Sequence, residues 1–318
     1  MISITRYDIS KKQAWDSFVE DSKNGTLLFL RDYMDYHSDR FSDHSLMVYD
    51  AHDKLIALLP ANENGEMFYS HQGLTYGGYI LSKHVRAADV LEMFRNTIDY
   101  LKEKGFSTWH YKQIPTCYHL CPAEEDEYAL WRCGAILESC LISTTIPLNG
   151  CNIYPETERR RKRGKVKAQE AGYEITESTD FDMFWPIMEY NLDSRYGVKP
   201  VHTVEEMKLL HSRFPERIRL FLAKKDGKPE AGCIAYMANA ACVHIQYGHA
   251  TPQGKHDGAL DLLYLLLVDK FREMGLRYMD FGNSNEQGGL YLNENLIAQK
   301  EGFGGRGVVY KQYNLRIK

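Results

Sequence analysis

The chain has 318 residues, about twice the length of an ordinary domain, so two domains are expected in place of one oversized core. Its 44% hydrophobic and 26% charged residues exclude a disordered or collagen-like chain. With 39 Lys plus Arg against 43 Asp plus Glu, the formal charge of -4 excludes a whole-molecule attraction to DNA, while a local basic patch stays open.

Along the chain, residues 1–12 meet Lys11 and Lys12 before any apolar run, so no secretory signal is read. Seven cysteines without a Cys-x-x-Cys pair fit a reduced, cytoplasmic setting, and no metal site is expected. A helical stretch from Lys11 to Ser22 carries Trp15, and the turn Asp53-Lys54 leads into an apolar strand, Leu55 to Leu59. The segment Ser70 to Gly78 holds His71 and Tyr76 among three glycines; it reads as a ligand-approach loop or as a bulged hairpin. A helix follows at Ala87 to Lys104, stopped by Gly105, then a strand from Phe106 to Tyr111.

Landmarks then recur. Trp185 repeats Trp15 at an offset of 170, Gly227-Lys228 repeats Asp53-Lys54 at 174, Tyr247-Gly248 repeats Tyr76-Gly77 at 171, and Gly275 repeats Gly105 at 170. Common spacing predicts a duplicated unit, with domains at 1–150 and 151–318. In the second copy, Arg219 to Ala223, Gly232 to Met237 and Cys242 to Ala250 read as strands, Ala259 to Met274 as an amphipathic helix capped by Gly275, and Leu276 to Phe281 as a buried strand. The longest uncharged stretch, Ala231 to Gly254, carries Asn239, His244, Gln246 and His249, so no membrane span is expected. The run Glu156 to Lys167 has seven basic residues against two acidic ones. It reads either as a solvated connector or as a phosphate clamp in which Arg159 and Arg163 chelate oxygens.

This order of elements resembles the GNAT acyltransferase fold, and its doubling resembles the FemAB/FemX-like tandem branch, which includes BioF2-like acetyltransferase domains. The resemblance rests on Asp280-Phe281-Gly282, on Asn293 to Lys300, and on Glu301-Gly302-Phe303-Gly304-Gly305. Lys300, Phe303 and Gly304 match a Phe-Lys-x-x-Phe-Gly signature in which Gln299 replaces the first Phe. The fold implied is α/β, with an α+β mixed sheet in each of two tandem GNAT-like domains.

The resemblance implies a donor, acetyl-CoA or another acyl-CoA, with its phosphates on backbone amides at the start of the long helix. The matching residues are Gln253, Gly254, Lys255, His256 and Gly258, although His256 stands in a glycine slot and Asp257 adds negative charge, or caps the helix. The corresponding segment of the first copy, residues 81–86, has no glycine. The implied thioester slot lies between the fourth and fifth strands, bringing Gln246, Tyr247 and Asn283 to the donor. His249 and Glu286 are candidates for proton removal, each with a structural alternative, and Lys300 is a candidate for oxyanion or phosphate stabilisation. Tyr196 and His202 fall where the resemblance assigns acceptor binding. The expected function is acyl transfer to an amine on a small-molecule acceptor such as an amino sugar or cell-envelope precursor. The alternatives are a FemX-like enzyme using aminoacyl-tRNA and a non-catalytic binding protein.

Overall fold

The computed structural model describes residues 2–149 and 156–317, with the side chains of Arg195 and Tyr196 set aside. The chain divides into two units of mixed α/β structure, and the division is not the simple one at residue 150. Unit 1 comprises residues 1–142, 285–291 and 308–318; unit 2 comprises 143–284 and 292–307. The strand Ile136–Pro147 therefore leaves unit 1 at Ile142, and the chain returns to unit 1 twice near its end.

In unit 1, the strands Ser3–Arg6, Leu46–Tyr49, Leu55–Leu59 and Ile80–Leu81 form an antiparallel sheet. A second set runs from the final strand, Arg306–Arg316, through Thr108–Lys112 and Met67–Tyr69 to Asn62–Asn64. The helix Ala87–Glu103 turns Val90, Met93, Phe94 and Leu101 inward at three- and four-residue spacing, against Phe68, Tyr79, Trp109 and Tyr111. Gly105 follows with φ +83°, a conformation that glycine adopts at no steric cost.

In unit 2 the strand order is Glu174–Ser178, Ile218–Lys225, Lys228–Met237, Cys242–Ala250, Tyr278–Asn283, then residues 143–147. Every neighbouring pair is antiparallel except Cys242–Ala250 with Tyr278–Asn283. The long helix Ala259–Glu273 buries Leu262, Leu263, Leu267 and Phe271 on this sheet together with Val243, Ile245, Met279 and Phe281. The basic run is no connector. It forms the helix Arg159–Glu170, packed on the long helix through Ala168 and through the buried Arg161. The two glycines Gly164 and Gly258 let these helices touch, since a Cβ on Gly258 would stand 2.5 Å from the Gly164 carbonyl oxygen. No helix among the described residues is long and apolar enough to cross a membrane.

Candidate active site

The parallel pair in unit 2 is registered at only three positions: Cys242 with Tyr278, Val243 with Met279, and His244 with Asp280. Past them the strands part. Cys242–Ala250 stays with Lys228–Met237, while Tyr278–Asn283 stays with Ile136–Pro147. Two irregularities accompany the parting: a bulge that inserts Gln246, and a break in pairing between Asp280 and Asn283 around Gly282. Gly282 has φ +72°, and a Cβ there would lie 3.2 Å from the His244 ring. Glycine is thus needed both for the turn and for the imidazole.

Alternation assigns the faces. Val243, Ile245, Met279 and Phe281 enter the core under the long helix, so His244 and Asp280 share the opposite face. Asp280 is wholly buried, and its carboxylate is surrounded by donors. Oδ1 accepts from the Ser143 hydroxyl and from Thr145 Oγ1 at 3.0 Å; Oδ2 accepts from the Gly282 amide at 3.3 Å and faces His244 Nδ1 at 2.7 Å. A carboxylate so held fixes the imidazole's orientation and tautomer and stabilises it when protonated. His244 itself is half-buried, at the point of divergence.

Lys300 completes the cluster. It lies in the last turn of the helix Glu294–Glu301, whose start is capped by the Asn293 side chain accepting from the Leu296 amide at 3.0 Å. Its ammonium donates to the carbonyls of Gly282 at 2.9 Å and Asn283 at 2.7 Å, which ties this helix to the end of the parted strand. An ammonium has three protons, and the third takes no partner among the described residues. Burial pulls the Lys300 pKa down to about 8, against the opposing pull of the Asp280 charge. A histidine fixed by a carboxylate, beside an ammonium with a proton to spare, can accept a proton from a nucleophile and donate one to an oxyanion.

The start of the long helix departs from the sequence expectation. Residues 253–257 are not an open loop but part of a short helix, Pro252–Asp257, and Gly258, with φ +81°, is the residue that begins Ala259–Glu273. Asp257 does not cap the long helix. It is buried and accepts from Gln253 Nε2 at 2.8 Å and from the Tyr173 hydroxyl at 3.2 Å, with His256 Nδ1 at 2.9 Å and Lys225 at 3.6 Å. The Gln253 and His256 hydrogen bonds hold its carboxyl well below the usual range. One turn on, Asp261 pairs with Arg161 at 2.8 Å; burial raises its pKa while Arg161 opposes that rise. Two carboxylates of the chain therefore supply the anion that a helix amino terminus favours. Gly254 is required by packing, because a Cβ there would sit 2.2 Å from the Glu230 carbonyl oxygen, and Lys255 donates to the Asn191 side chain.

The other sequence candidates are dispersed. His249 lies with its ring 6.4 Å from Phe184, and it is His244 that Asp280 holds. Tyr247 is buried and bonded through its hydroxyl to His202 Nδ1 at 2.7 Å, so a donor residue and an acceptor residue of the sequence reading meet each other. Burial raises the Tyr247 pKa. The Tyr196 side chain lies outside the described residues. Glu286 is exposed in unit 1, and the helix that follows it is capped by Asn293. His71 and Tyr76 are buried in unit 1, Tyr76 among the rings of Phe29, Tyr118 and Tyr310. Arg159 and Arg163 are exposed on their helix. No group of three or more metal-ligating side chains occurs among the described residues.

Residues 156–288 match the acetyltransferase (GNAT) domain family. FemX superimposes with a TM-score of 0.70 at 11% identity, over 99% of this chain and 97% of its own. The chain has a tandem GNAT fold, the fold of FemX. L-PGS from Bacillus licheniformis has a TM-score of 0.62 at 13% identity, over 98% of this chain and 93% of its own. A tandem GNAT protein from the clavulanic acid biosynthesis pathway has a TM-score of 0.54 at 12% identity, over 100% of this chain and 99% of its own. No curated protein matches the sequence. The doubling inferred from the 170-residue offsets is thus the tandem of this fold, and parting strands lie where the resemblance put the acyl slot.

Proposed function

We propose that unit 2 transfers an acyl group from an activated carrier to an amine, at the point where Cys242–Ala250 and Tyr278–Asn283 part. The amine nitrogen attacks the carrier's acyl carbonyl; His244 takes the proton released as the C–N bond forms and returns it to the departing carrier atom as the acyl bond breaks. Asp280 keeps the imidazole in place, and the third proton of Lys300 stabilises the oxyanion between the two events. The observation that carries this reading is the convergence of His244, Asp280 and Lys300 at the last paired step of the strands.

For the carrier, the observations favour an aminoacyl-tRNA. Asp257 and Asp261 already stand at the helix end where a coenzyme A diphosphate would be held, whereas Arg159, Arg160, Lys162 and Arg163 are exposed next to it. Exposed guanidinium groups along a helix suit an extended phosphate backbone better than a single pyrophosphate. Acyl-CoA is the second reading, favoured by the acetyltransferase (GNAT) family match.

The test offers the purified protein bulk tRNA charged with labelled amino acids and, separately, labelled acetyl-CoA, each with a mixture of primary amines. Amide label derived from tRNA is expected. Label from acetyl-CoA alone overturns the carrier, and label from neither overturns the transfer.

A further inference from the structure

Each unit packs a parallel strand pair on a long helix. In unit 1 the pair is Met67–Tyr69 with Thr108–Lys112, registered at three positions, Met67 with Thr108, Phe68 with Trp109 and Tyr69 with His110, before the chain turns away at Ser70. The tyrosines buried with it have bonded hydroxyls: Tyr79 with Thr97 Oγ1 at 2.5 Å, and Tyr111 donating to Asp126 at 2.7 Å. That is what a phenol out of water requires, since a buried donor without a partner costs its full desolvation.

Unit 2 departs from it. Every buried side chain of the long helix Ala259–Glu273 is aliphatic or phenylalanine except Tyr264, which is 6% exposed. Its ring stands edge-on to Phe281 at 5.0 Å and to Phe303 at 5.4 Å. Its hydroxyl lies against the other strand, since a Cβ on Gly248 would stand 1.7 Å from the hydroxyl oxygen. Phe281 and Gly248 both follow the last registered pair, His244 with Asp280. Tyr264 thus spans the gap from the helix side, its ring on one parted strand and its hydroxyl on the other, and Gly248 leaves the room for it.

The Tyr264 hydroxyl makes no hydrogen bond among the described residues. The ionisable groups that act on it are committed or inert: Asp261, on the same helix, pairs with Arg161 at 2.8 Å, and the Cys233 thiol, registered opposite Gly248, is wholly buried and pushed up in pKa by that burial. Burial, with those two neighbours, raises the Tyr264 pKa well above the ordinary value, so the group stays a neutral phenol with a proton to give. Phe281, Phe303 and Gly248 have no side-chain acceptor, so the missing partner is an atom of whatever fills the gap.

We propose that the Tyr264 hydroxyl binds the acyl unit of the carrier, donating a hydrogen bond to it inside the gap. The inference rests on the transfer assigned to unit 2 and deepens it. His244 and Asp280 lie on the sheet face opposite the long helix, so the acyl unit is held from one face while the amine is deprotonated from the other.

The test measures binding without an amine acceptor, using the full-length protein and its Tyr264→Phe variant. Bulk tRNA charged with labelled amino acids is compared with the uncharged pool by filter binding, and acetyl-CoA with coenzyme A by calorimetry. Wild type is expected to bind the loaded form of one carrier about fivefold to tenfold more tightly than the free form, the range for one hydrogen bond, and Tyr264→Phe should bind the two forms alike. The melting temperature of Tyr264→Phe should equal or exceed that of wild type, because no hydrogen bond within the protein is lost. A preference in Tyr264→Phe within about twofold of wild type, no preference by wild type for either loaded carrier, or a melting temperature lower by more than about 3 °C overturns the proposal. The transfer itself fails separately. Amide formed by wild type with the preference intact in Tyr264→Phe sinks this inference alone, and no amide with the preference lost in Tyr264→Phe sinks the transfer and leaves the binding residue.

Discussion

The two parallel strand pairs have the same length and the same habit, three registered residues and then divergence, yet they carry different chemistry at the last step. In unit 2 that step is an imidazole on a carboxylate with four hydrogen-bonding neighbours. In unit 1 it is a tyrosine stacked on a histidine, with the nearest carboxylate half exposed. The lysines diverge in the same sense: Lys112 gives every proton to backbone carbonyls, and Lys300 retains one. A duplicated backbone can thus keep diverging strands in both copies while the side chains at the last paired step differ in chemistry.

The sharpest way to break that contrast is Asp280→Asn. Removing the charge that orients His244 should lower kcat for amide formation by about 10²–10⁴-fold, while His110→Ala at the matching step of unit 1 should change kcat less than about threefold. Equal losses would mean that both gaps, or neither, host the chemistry.

A large effect on stability is expected where the basic helix meets the long helix. Arg161→Met leaves Asp261 nearly buried without its partner and should cost about 3–5 kcal/mol in denaturant unfolding, largely recovered in Arg161→Met/Asp261→Leu. Recovery failing in the double variant would show that the 4.9 Å contact of Arg161 with the Phe303 ring carries more than the ion pair.

Lys300 supplies a pH test. Its pKa is about 8 in the folded protein against 10.5 for an ordinary lysine, so the unfolded chain binds more protons between those values and folding is favoured as pH rises across that window. Wild type should therefore gain about 1–3 kcal/mol relative to Lys300→Met from pH 8 to pH 10.5, measured by urea unfolding at each pH. A flat difference would contradict a buried, protonated Lys300.

Gly258→Ala should cost about 1–3 kcal/mol, from its positive φ and from the Gly164 carbonyl, and more than Gly275→Ala, where φ is also positive but no atom lies within 4 Å. The smallest change in stability is expected for Arg159→Ser/Arg163→Ser, within about 0.5 kcal/mol, because both side chains are exposed. The same variant should reduce the salt dependence of tRNA binding by about one to two units of slope.

Much of the fold was legible because its signals are local. Leu55 to Leu59 and Cys242 to Ala250 are strands with the bounds the sequence suggested, and Gly105 and Gly275 end their helices in the left-handed conformation. The exchange of segments between units was not legible, since the final strand joins unit 1 by pairing with the distant Thr108–Lys112 and residues 285–291 meet it through hydrogen bonds with Ser139 and Ile142. His244 escaped for the same reason. A polar residue between Val243 and Ile245 reads as an outward position, and its partner Asp280 is 36 residues away. The signal was nonetheless present: Val243-His244-Ile245 and Met279-Asp280-Phe281 have matching alternation, and parallel pairing of those triplets puts both polar groups on one face. The conformation of residues 253–258 was not legible, because a Gln-and-Gly spacing does not reveal that Asp257 is satisfied from within by Gln253, His256 and Tyr173.

The most direct measurement is the rate of acyl transfer from charged tRNA to amine in His244→Ala and in Tyr69→Ala, each confirmed to be folded by circular dichroism. A loss of about 100-fold or more in kcat/KM for His244→Ala, with Tyr69→Ala within about threefold of wild type, is the predicted result. Transfer by His244→Ala at a rate within about threefold of wild type would contradict the assignment of the chemistry to the parted strands of unit 2.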